Sequence, residues 1–517
     1  MVRPAANPAA RPPAAGRLAR GSVLRTVHQF ALVGVSFAMM PFMVHTLGDH
    51  YFGMWALVGT FISFTGFLDF GLSQAVTRFL AAALGSGDEE QCNRVFNTAL
   101  AWYVVLGTLV LIAGCAAAAL IPFWPGLKDA AILAKVVLIF SMSVALSFPL
   151  RVFVGILNAH LSFDTTAALD VTTLVLRTIV AVVVLKKGYG VAGLALATFL
   201  SGIPSFVLSI RYARKEMPFL RVHHAYRLRA AARELFAYSS FSFVAQIAEL
   251  VRIQTAAVVV ASFLGLSAVT HYRVAGNMTS YIGDLMTALL GVFVPVFSQQ
   301  AGAHDYDGIR RTFFFVNKLS DALSSFLAFG LIAWGKPFIT RWMGPRYLDS
   351  YECLLWLALA YLIALLQNPS VSLLYGLAKH RWFATFGVME GVLNVGLSLI
   401  MVPRYGIKGA ALAALLASGA IRLFMQPVYV CRVAGVPLAT YLSREGLNIA
   451  IVAAALLAPA LVTRAVAGPD YGRLVATGLA SLALYAGPVW YFLFTPAERR
   501  RLLDALLRGR GAAEAAS

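Results

Sequence analysis

Ionisable side chains interrupt several long apolar stretches of this sequence, and these interruptions are the residues with the most evident chemistry. The acids are Asp69, Glu249 and Asp284, and the bases are Arg78, Arg151, Arg177, Arg252 and Arg273. A charged side chain at the centre of a membrane span costs about 2.5–3.5 kcal/mol on insertion scales. If the stretches cross a membrane, each of these residues is therefore a candidate for binding or transport.

The two sets of charges predict different ligands. A guanidinium group is a planar fork that pairs with phosphate through two hydrogen bonds, so the arginines predict an anionic ligand. The acids predict a coupling proton or sodium ion, because a buried carboxyl group can gain and lose a proton. The same charged residues could also have a purely structural role. Glu249 and Arg252 share a helical face and could neutralise each other, whereas Arg78, Arg151 and Arg273 could reach the lipid headgroups from near the helix ends.

Closely spaced polar residues mark three further stretches. Lys318 and Asp321 lie three positions apart, which predicts an internal ion pair on one helix. Two other pairs lie four positions apart on one helical face, namely Glu390 with Asn394 and Arg422 with Gln426.

The composition indicates a membrane protein. Of 517 residues, 60% are hydrophobic and 13% are charged, whereas soluble proteins carry about 25% charged residues. The apolar runs reach the roughly 20 residues that cross a bilayer as a helix. Because lipid offers no hydrogen bonds to the backbone, we predict an all-α polytopic membrane protein. The net charge is +19, and the basic residues lie mostly in loops. Because no basic patch with interleaved aromatic residues occurs, we exclude nucleic-acid binding.

The hydropathy pattern predicts fourteen transmembrane helices, and the basic loops predict their orientation. The connection 211–233 and the tail after residue 497 are rich in Lys and Arg, which places both of them and both termini in the cytoplasm. The predicted spans are 24–47, 53–83, 96–121, 130–158, 165–186, 189–212, 235–264, 269–299, 311–334, 351–376, 382–403, 406–432, 442–466 and 471–495.

Two internal echoes show that the sequence is duplicated. The pair Leu47-Gly48 recurs as Leu264-Gly265, and the segment 189–193 (YGVAG) recurs at 405–409 (YGIKG) at almost the same separation. Unrelated apolar helices would not keep a common spacing, so we predict a repeat of roughly 200 residues, with six spans in each copy. An even number of spans keeps both copies in the same orientation, as parallel repeats.

The repeat sets the predicted domain limits. They are a disordered cytoplasmic arm 1–23, a six-helix lobe 24–212, a basic cytoplasmic loop 213–234, a second six-helix lobe 235–432, two additional transmembrane helices 433–496, and a basic cytoplasmic tail 497–517.

Several motifs resemble those of a known family. The stretch LGDHYFGMWAL at 47–57 and the stretch DFGLSQAVTRFLA at 69–81 resemble the opening of bacterial polysaccharide flippases, including those for O-antigen, of the multidrug/oligosaccharidyl-lipid/polysaccharide exporter superfamily. The stretches LLYGLAKHRWF at 373–383 and MVPRYGIKGAALAALLASG at 401–419 resemble that family's second half. The resemblance covers about 24–495.

The resemblance implies two six-helix lobes around a central cavity, with alternating access. It implies a substrate, an oligosaccharide on polyprenyl pyrophosphate, which crosses the bacterial inner membrane during O-antigen, capsule or exopolysaccharide biosynthesis. In members of this family, spans one, two, seven and eight line the cavity. This favours Arg78, Glu249, Arg252 and Asp284 as cavity residues over Arg177 and Arg422. Many relatives carry an acid where this chain has Ala256. Polysaccharide polymerases and glycosyltransferases of the same biosynthesis are expected partners, together with membrane lipids.

Other functions remain open at this point. A cation-coupled multidrug exporter and a lipid II flippase belong to the same superfamily. A membrane glycan polymerase is the alternative from another class, but the outer loops are short and hold no clustered carboxylates or histidines. We therefore predict that the protein is not an enzyme. The four cysteines are scattered, and no ATP-binding P-loop occurs, so we predict no metal site and no cofactor.

Overall fold

The computed structural model describes residues 15–67, 69, 72–123, 129–160, 162–223, 255–291, 293–377, 379, 381–466 and 470–500. These residues form helices joined by short turns, with no strand among them, so the predicted all-α fold is confirmed. Contacts divide the chain into two units, Met1–Leu250 and Val251–Ser517. Their boundary lies outside the described residues, and the domain limits given above stay predictions.

The described residues of the N-terminal unit form six α-helices. Its core is built from α2, α3 and α4, which bury Leu80, Phe96, Tyr103, Phe148 and Ile156. The helices are α1 (Ala15–Phe67), α2 (Leu72–Ser86), α3 (Glu89–Leu120), α4 (Ala130–Ala159), α5 (Phe163–Lys186) and α6 (Gly190–Glu216).

The C-terminal unit contains the remaining helices, and α10 runs through its core. Phe313 of α10 stacks on Tyr441 with ring centroids 5.9 Å apart, and Phe326 of α10 stacks on Tyr485 at 5.0 Å. The helices are α7 (Thr255–Leu264), α8 (Leu266–Leu290), α9 (Phe293–Gly302), α10 (Tyr306–Trp342), α11 (Leu348–Leu366), α12 (Asn368–Gly376), α13 (Arg381–Tyr405), α14 (Ile407–Ser418), α15 (Gln426–Ala434), α16 (Leu438–Ala455), α17 (Leu457–Val466) and α18 (Tyr471–Pro488), with π-helical turns at Gly419–Met425 and Val489–Leu493.

The number of spans differs from the sequence analysis. Among the described residues, 11 helices are long and apolar enough to cross a membrane, so the predicted count of fourteen is not confirmed. The difference lies at three predicted spans. Span 53–83 is divided between the end of α1 and the short α2, most of span 235–264 is outside the described residues, and span 269–299 is divided into α8 and α9.

The backbone repeats where the sequence repeats. Gly48 has φ 78° and ψ 164°, and Gly265 has φ 84° and ψ 176°. Gly190 and Gly406 of the second echo also have positive φ, at 61° and 64°. Side chains disfavour these dihedrals, and glycine adopts them freely. Each pair therefore places a conformation that favours glycine at the same position of the predicted repeat.

The first helix begins earlier than predicted. The sequence analysis placed a disordered arm at 1–23, but α1 already begins at Ala15. The prolines end at Pro13, and the Ala, Arg and Leu residues that follow have high helix propensity, which explains the earlier start.

Two asparagines of α3 hold the segment that follows α6. The Asn93 Oδ1 accepts a hydrogen bond from the Arg221 backbone N–H at 2.8 Å, and the Asn97 Oδ1 accepts one from the His223 N–H at 2.8 Å. The Asn97 side-chain amide also donates to the Arg221 carbonyl at 2.7 Å. Both asparagines are buried. This asparagine clamp (Asn93 and Asn97) fixes the beginning of the predicted basic loop onto the N-terminal unit.

Candidate functional site

A hydrogen-bonded acid lies where α1 gives way to α2. Asp69 is buried, and its backbone carbonyl accepts from the Leu72 N–H at 2.7 Å as α2 begins. Its Oδ1 accepts from the Tyr103 hydroxyl at 2.6 Å and from the Ser73 hydroxyl at 3.0 Å, and its Oδ2 accepts from the Ser73 N–H at 3.2 Å. The carboxylate is thus held in one orientation at the start of α2, where a negative charge is stabilised by the helix dipole.

Arg151 of α4 completes this group. Its Nη1 lies 3.3 Å from the Asp69 Oδ1, and its guanidinium carbon lies 4.8 Å from the centre of the Phe148 ring. The Arg151 side chain keeps 31% of its surface exposed, against 12% for Asp69. An arginine has five N–H donors, so the pairing with Asp69 leaves donors for an anion. The structure thus brings together two charges that the sequence analysis singled out separately.

The C-terminal unit contains a small polar cavity enclosed by α8, α11, α13 and α14. Its volume is about 70 Å³. Hydroxyl, amide, guanidinium and carboxylate groups line it beside small apolar residues, and the first three kinds of group bind sugars and phosphates. The polar lining residues are Tyr272, Arg273, Thr279, Ser280, Tyr361, Glu390, Asn394 and Ser418.

Arg273 brings the positive charge to this cavity. It lies between Tyr272 and Thr279 on the face of α8 that lines the cavity, and it is partly buried. The Tyr361 hydroxyl of α11 lies 3.4 Å from the Ser280 hydroxyl of α8. The cavity therefore combines one guanidinium group with several hydroxyl groups on two helices.

Glu390 lines the same cavity and accepts hydrogen bonds from two other side chains. Its Oε2 accepts from the Arg422 Nε at 2.8 Å, and its Oε1 accepts from the Ser418 hydroxyl at 2.6 Å. Arg422 is 7% exposed and Glu390 is 3% exposed, so the pair is almost removed from solvent. Arg422 lies in the π-helical turn Gly419–Met425, and such turns occur often at functional sites.

The other predicted site residues are distributed differently. Arg78, Arg177 and Asp284 have exposed side chains on α2, α5 and α8. Glu249 and Arg252 lie outside the described residues. Lys318 was predicted to pair with Asp321, but its Nζ lies 2.9 Å from the Glu498 Oε2, and the predicted pair is wrong. Among the described residues, no group of three or more His, Cys, Asp or Glu could hold a metal ion.

Several residues of these sites are not evident from the sequence. Tyr103, Tyr272, Tyr361 and Ser418 carry no charge, and nothing in their spacing distinguishes them from other polar residues of membrane helices. Glu390 and Arg422 gave a signal, because each belongs to a polar pair four residues apart in an apolar stretch.

Comparisons with known proteins agree on the family. The sequence model described as "Polysaccharide biosynthesis protein" matches residues 26–352. The chain is 25% identical over 496 residues to the uncharacterized membrane protein EpsK of Bacillus subtilis (strain 168), covering 93% of this chain and 96% of that protein. It is 24% identical over 371 residues to the succinoglycan biosynthesis transport protein ExoT of Rhizobium meliloti (strain 1021), covering 70% of each. It is 22% identical over 396 residues to a putative O-antigen transporter of Shigella flexneri, covering 73% of this chain and 90% of that protein.

Solved structures show the same fold at low sequence identity. An inward-facing multidrug resistance MATE family transporter of the MOP superfamily superposes with a TM-score of 0.68 at 14% identity, covering 79% of this chain and 98% of that one. The lipid II flippase MurJ in an inward closed conformation gives 0.65 at 15% identity, covering 89% and 97%. The chain therefore has the fold of the MOP superfamily, and it belongs to the polysaccharide biosynthesis protein family.

Proposed function

We propose that this protein is a flippase that moves oligosaccharide units linked to polyprenyl pyrophosphate across the bacterial inner membrane by alternating access. The glycan would serve O-antigen, capsule or exopolysaccharide biosynthesis, and both termini would lie in the cytoplasm. The observation that carries the proposal is the polar cavity of the C-terminal unit. Its arginine suits a phosphate, and its hydroxyl and amide groups suit the hydroxyl groups of a sugar, although at about 70 Å³ it holds only a small part of such a unit.

The N-terminal unit supports the proposal with a second positioned arginine. Asp69, Ser73 and Tyr103 form a network that orients Arg151 while leaving part of its guanidinium group exposed. In this proposal Asp69 positions Arg151. The relatives support the substrate class through their names, since one is a succinoglycan biosynthesis transport protein and another a putative O-antigen transporter.

Of the acids predicted for ion coupling, we propose Asp69 for positioning Arg151, and Asp284 and Glu249 for binding the coupling ion. Asp284 is exposed on α8 and remains a candidate for binding a proton or sodium ion. Glu249 remains a candidate from the sequence. The polysaccharide polymerase and glycosyltransferases of the same biosynthesis remain the partners that we propose, because they would make and consume the transported unit.

The test is complementation of a bacterium that lacks its polysaccharide flippase, at matched expression levels. The variants are Arg273→Ala and Arg151→Ala, with Arg94→Ala as the control. Arg94 is half-buried and pairs with Glu90 on the same helix, apart from both proposed sites, so its loss should leave function unchanged. Losing a hydrogen-bonded charge contact with phosphate costs about 1.5–3 kcal/mol, so we expect substrate binding to weaken by about tenfold to a hundredfold.

Each outcome has a defined meaning. Restored surface polysaccharide that is lost in both arginine variants and kept in the control supports the proposal. Restoration that survives both changes keeps the function and refutes the assignment of these arginines. If the intact protein restores no glycan in several systems but confers resistance to cationic dyes, it is a multidrug exporter. If it instead rescues cells depleted of their lipid II flippase, lipid II is the substrate.

A further inference from the structure

Two buried acids face each other between α10 and α16, away from the cavity described above. Asp321 is fully buried on α10, and Glu445 is 8% exposed on α16. Their carboxyl groups are within hydrogen-bonding reach of each other. The Asn448 side-chain amide donates to the Asp321 Oδ2 at 3.0 Å. The two acids therefore join α10 to α16, the first of the helices that lie beyond the predicted repeat.

One oxygen of each acid has no hydrogen-bond donor among the described residues. These atoms are the Asp321 Oδ1 and the Glu445 Oε1, and both are inaccessible to solvent. A carboxylate can only accept hydrogen bonds, so two ionised acids cannot satisfy each other. A single proton changes this, because the protonated acid donates to the ionised one.

The basic groups near the pair are engaged elsewhere. Lys318, one turn before Asp321, contacts Glu498. Arg444, adjacent to Glu445 in sequence, stacks over the Phe314 ring at 4.3 Å.

Other titratable groups on the helices packed around the pair are uncharged at neutral pH. The Tyr441 hydroxyl accepts a hydrogen bond from the Gln367 side-chain amide at 3.2 Å, the Tyr485 hydroxyl donates to the Ala322 carbonyl at 2.7 Å, and Cys431 is a buried thiol. Among the described residues, the pair is therefore left without a positive charge of its own. Two adjacent carboxylates in a buried site cannot both stay ionised, and such pairs share one proton.

We propose that Asp321 and Glu445 form a proton-binding site that fastens α16 to α10. With one proton bound, the pair is a short hydrogen-bonded link between the repeat and the helices beyond it. Without the proton, two negative charges repel each other across the same contact. The site needs no transported substrate, so it stands or falls independently of the flippase function.

The test is the thermal stability of the purified protein in detergent, measured from mildly acidic to mildly alkaline pH. The variants are Glu445→Gln and Asp321→Asn, each of which replaces one acid by an amide of the same shape that can donate permanently. Glu498→Gln is the matched control, because it removes a carboxyl group that already has Lys318 as its cation.

We expect the melting temperature of the wild-type protein to fall as the pH rises and the shared proton is lost. In Glu445→Gln and in Asp321→Asn this fall should disappear, and both should be more stable than the wild type at alkaline pH. Glu498→Gln should keep the alkaline fall. The proposal is overturned if the amide variants keep the wild-type fall, or if both are unstable at every pH. It is also overturned if sodium chloride, compared with choline chloride, raises the wild-type melting temperature but not that of the variants, because the pair would then hold a sodium ion.

Discussion

Replacing Arg422 with methionine should be among the most destabilising single changes in the C-terminal unit. Methionine keeps much of the length of the side chain but removes the guanidinium group that lies 2.8 Å from the Glu390 Oε2. Glu390 is 3% exposed, so its charge stays buried after the change. Removing one partner of a buried ion pair typically costs about 3–5 kcal/mol, because the other charge is left uncompensated. The Ser418 hydroxyl donates to the Glu390 Oε1 at 2.6 Å in both the wild type and the variant, so it does not change the difference in stability between them.

A double-mutant cycle separates the ion pair from simple loss of packing. Glu390→Gln in the Arg422→Met background removes the buried charge and keeps an acceptor for Ser418. Replacing a buried pair by neutral groups is often close to neutral in stability, so the double variant should recover most of the loss. We expect a coupling energy of about 2 kcal/mol or more, since contacting residues couple by 0.5–3 kcal/mol.

The assay is unfolding of the purified protein in mixed micelles of dodecyl maltoside and SDS, followed by tryptophan fluorescence. A loss below about 1 kcal/mol for Arg422→Met would fall in the range of an exposed ion pair and would refute burial as the source of the effect. A double variant no more stable than Arg422→Met would show that the guanidinium group acts through packing rather than through the charge of Glu390.

Two further predictions concern Gly265 and Glu498. Gly265→Ala should destabilise the C-terminal unit by about 1–2 kcal/mol, because alanine is strained at φ 84° even though no atom lies near the added carbon; Gly276→Ala, with open space and ordinary φ, is the control in the same melting experiment. The second concerns Glu498: burial raises the pKa of this carboxyl, but hydrogen bonds from the Thr495 backbone and from Lys318 outweigh it and hold the pKa below its usual value. The Glu498 charge therefore stabilises the protein above the ordinary glutamate pKa of about 4.3, and this stability is lost as the pH falls through the lowered value. Glu498→Gln should be less stable than the wild type at neutral pH, and the difference should vanish in acid; a difference that grows in acid would contradict the lowered pKa.

The sequence was sufficient for the fold class because the physics of lipid leaves few choices. A chain with this hydrophobicity must satisfy its backbone within each segment, so helices follow from composition alone. The duplication was also readable, since Gly48 and Gly265 repeat a backbone conformation that requires glycine. Helix boundaries were harder, because the breaks between α1 and α2 and between α8 and α9 lie inside largely apolar stretches, where the single charge of Asp69 did not predict a break.

The sequence identified some residues of the sites but not their contacts. Asp69 and Arg151 each stood out as a charge in an apolar stretch, but their contact depends on how α4 packs beside the start of α2. Local spacing was misleading at Lys318, where Asp321 three positions away suggested a partner. The Lys318 side chain instead reaches Glu498, which Thr495 orients through reciprocal hydrogen bonds of a capping box. Such long-range contacts leave no periodic trace in a single sequence.

The asparagine clamp has a consequence for the order of events during synthesis. Beyond their own helix, Asn93 and Asn97 bond to Phe219, Arg221 and His223, which all lie within the first half of the chain. Domains generally fold as units during translation, with the N-terminal one first. The N-terminal unit therefore has all the partners for this contact as soon as its own last residues leave the ribosome. The clamp can close while the second half of the chain is still untranslated, so the backbone groups of Arg221 and His223 are paired before later segments can compete for them.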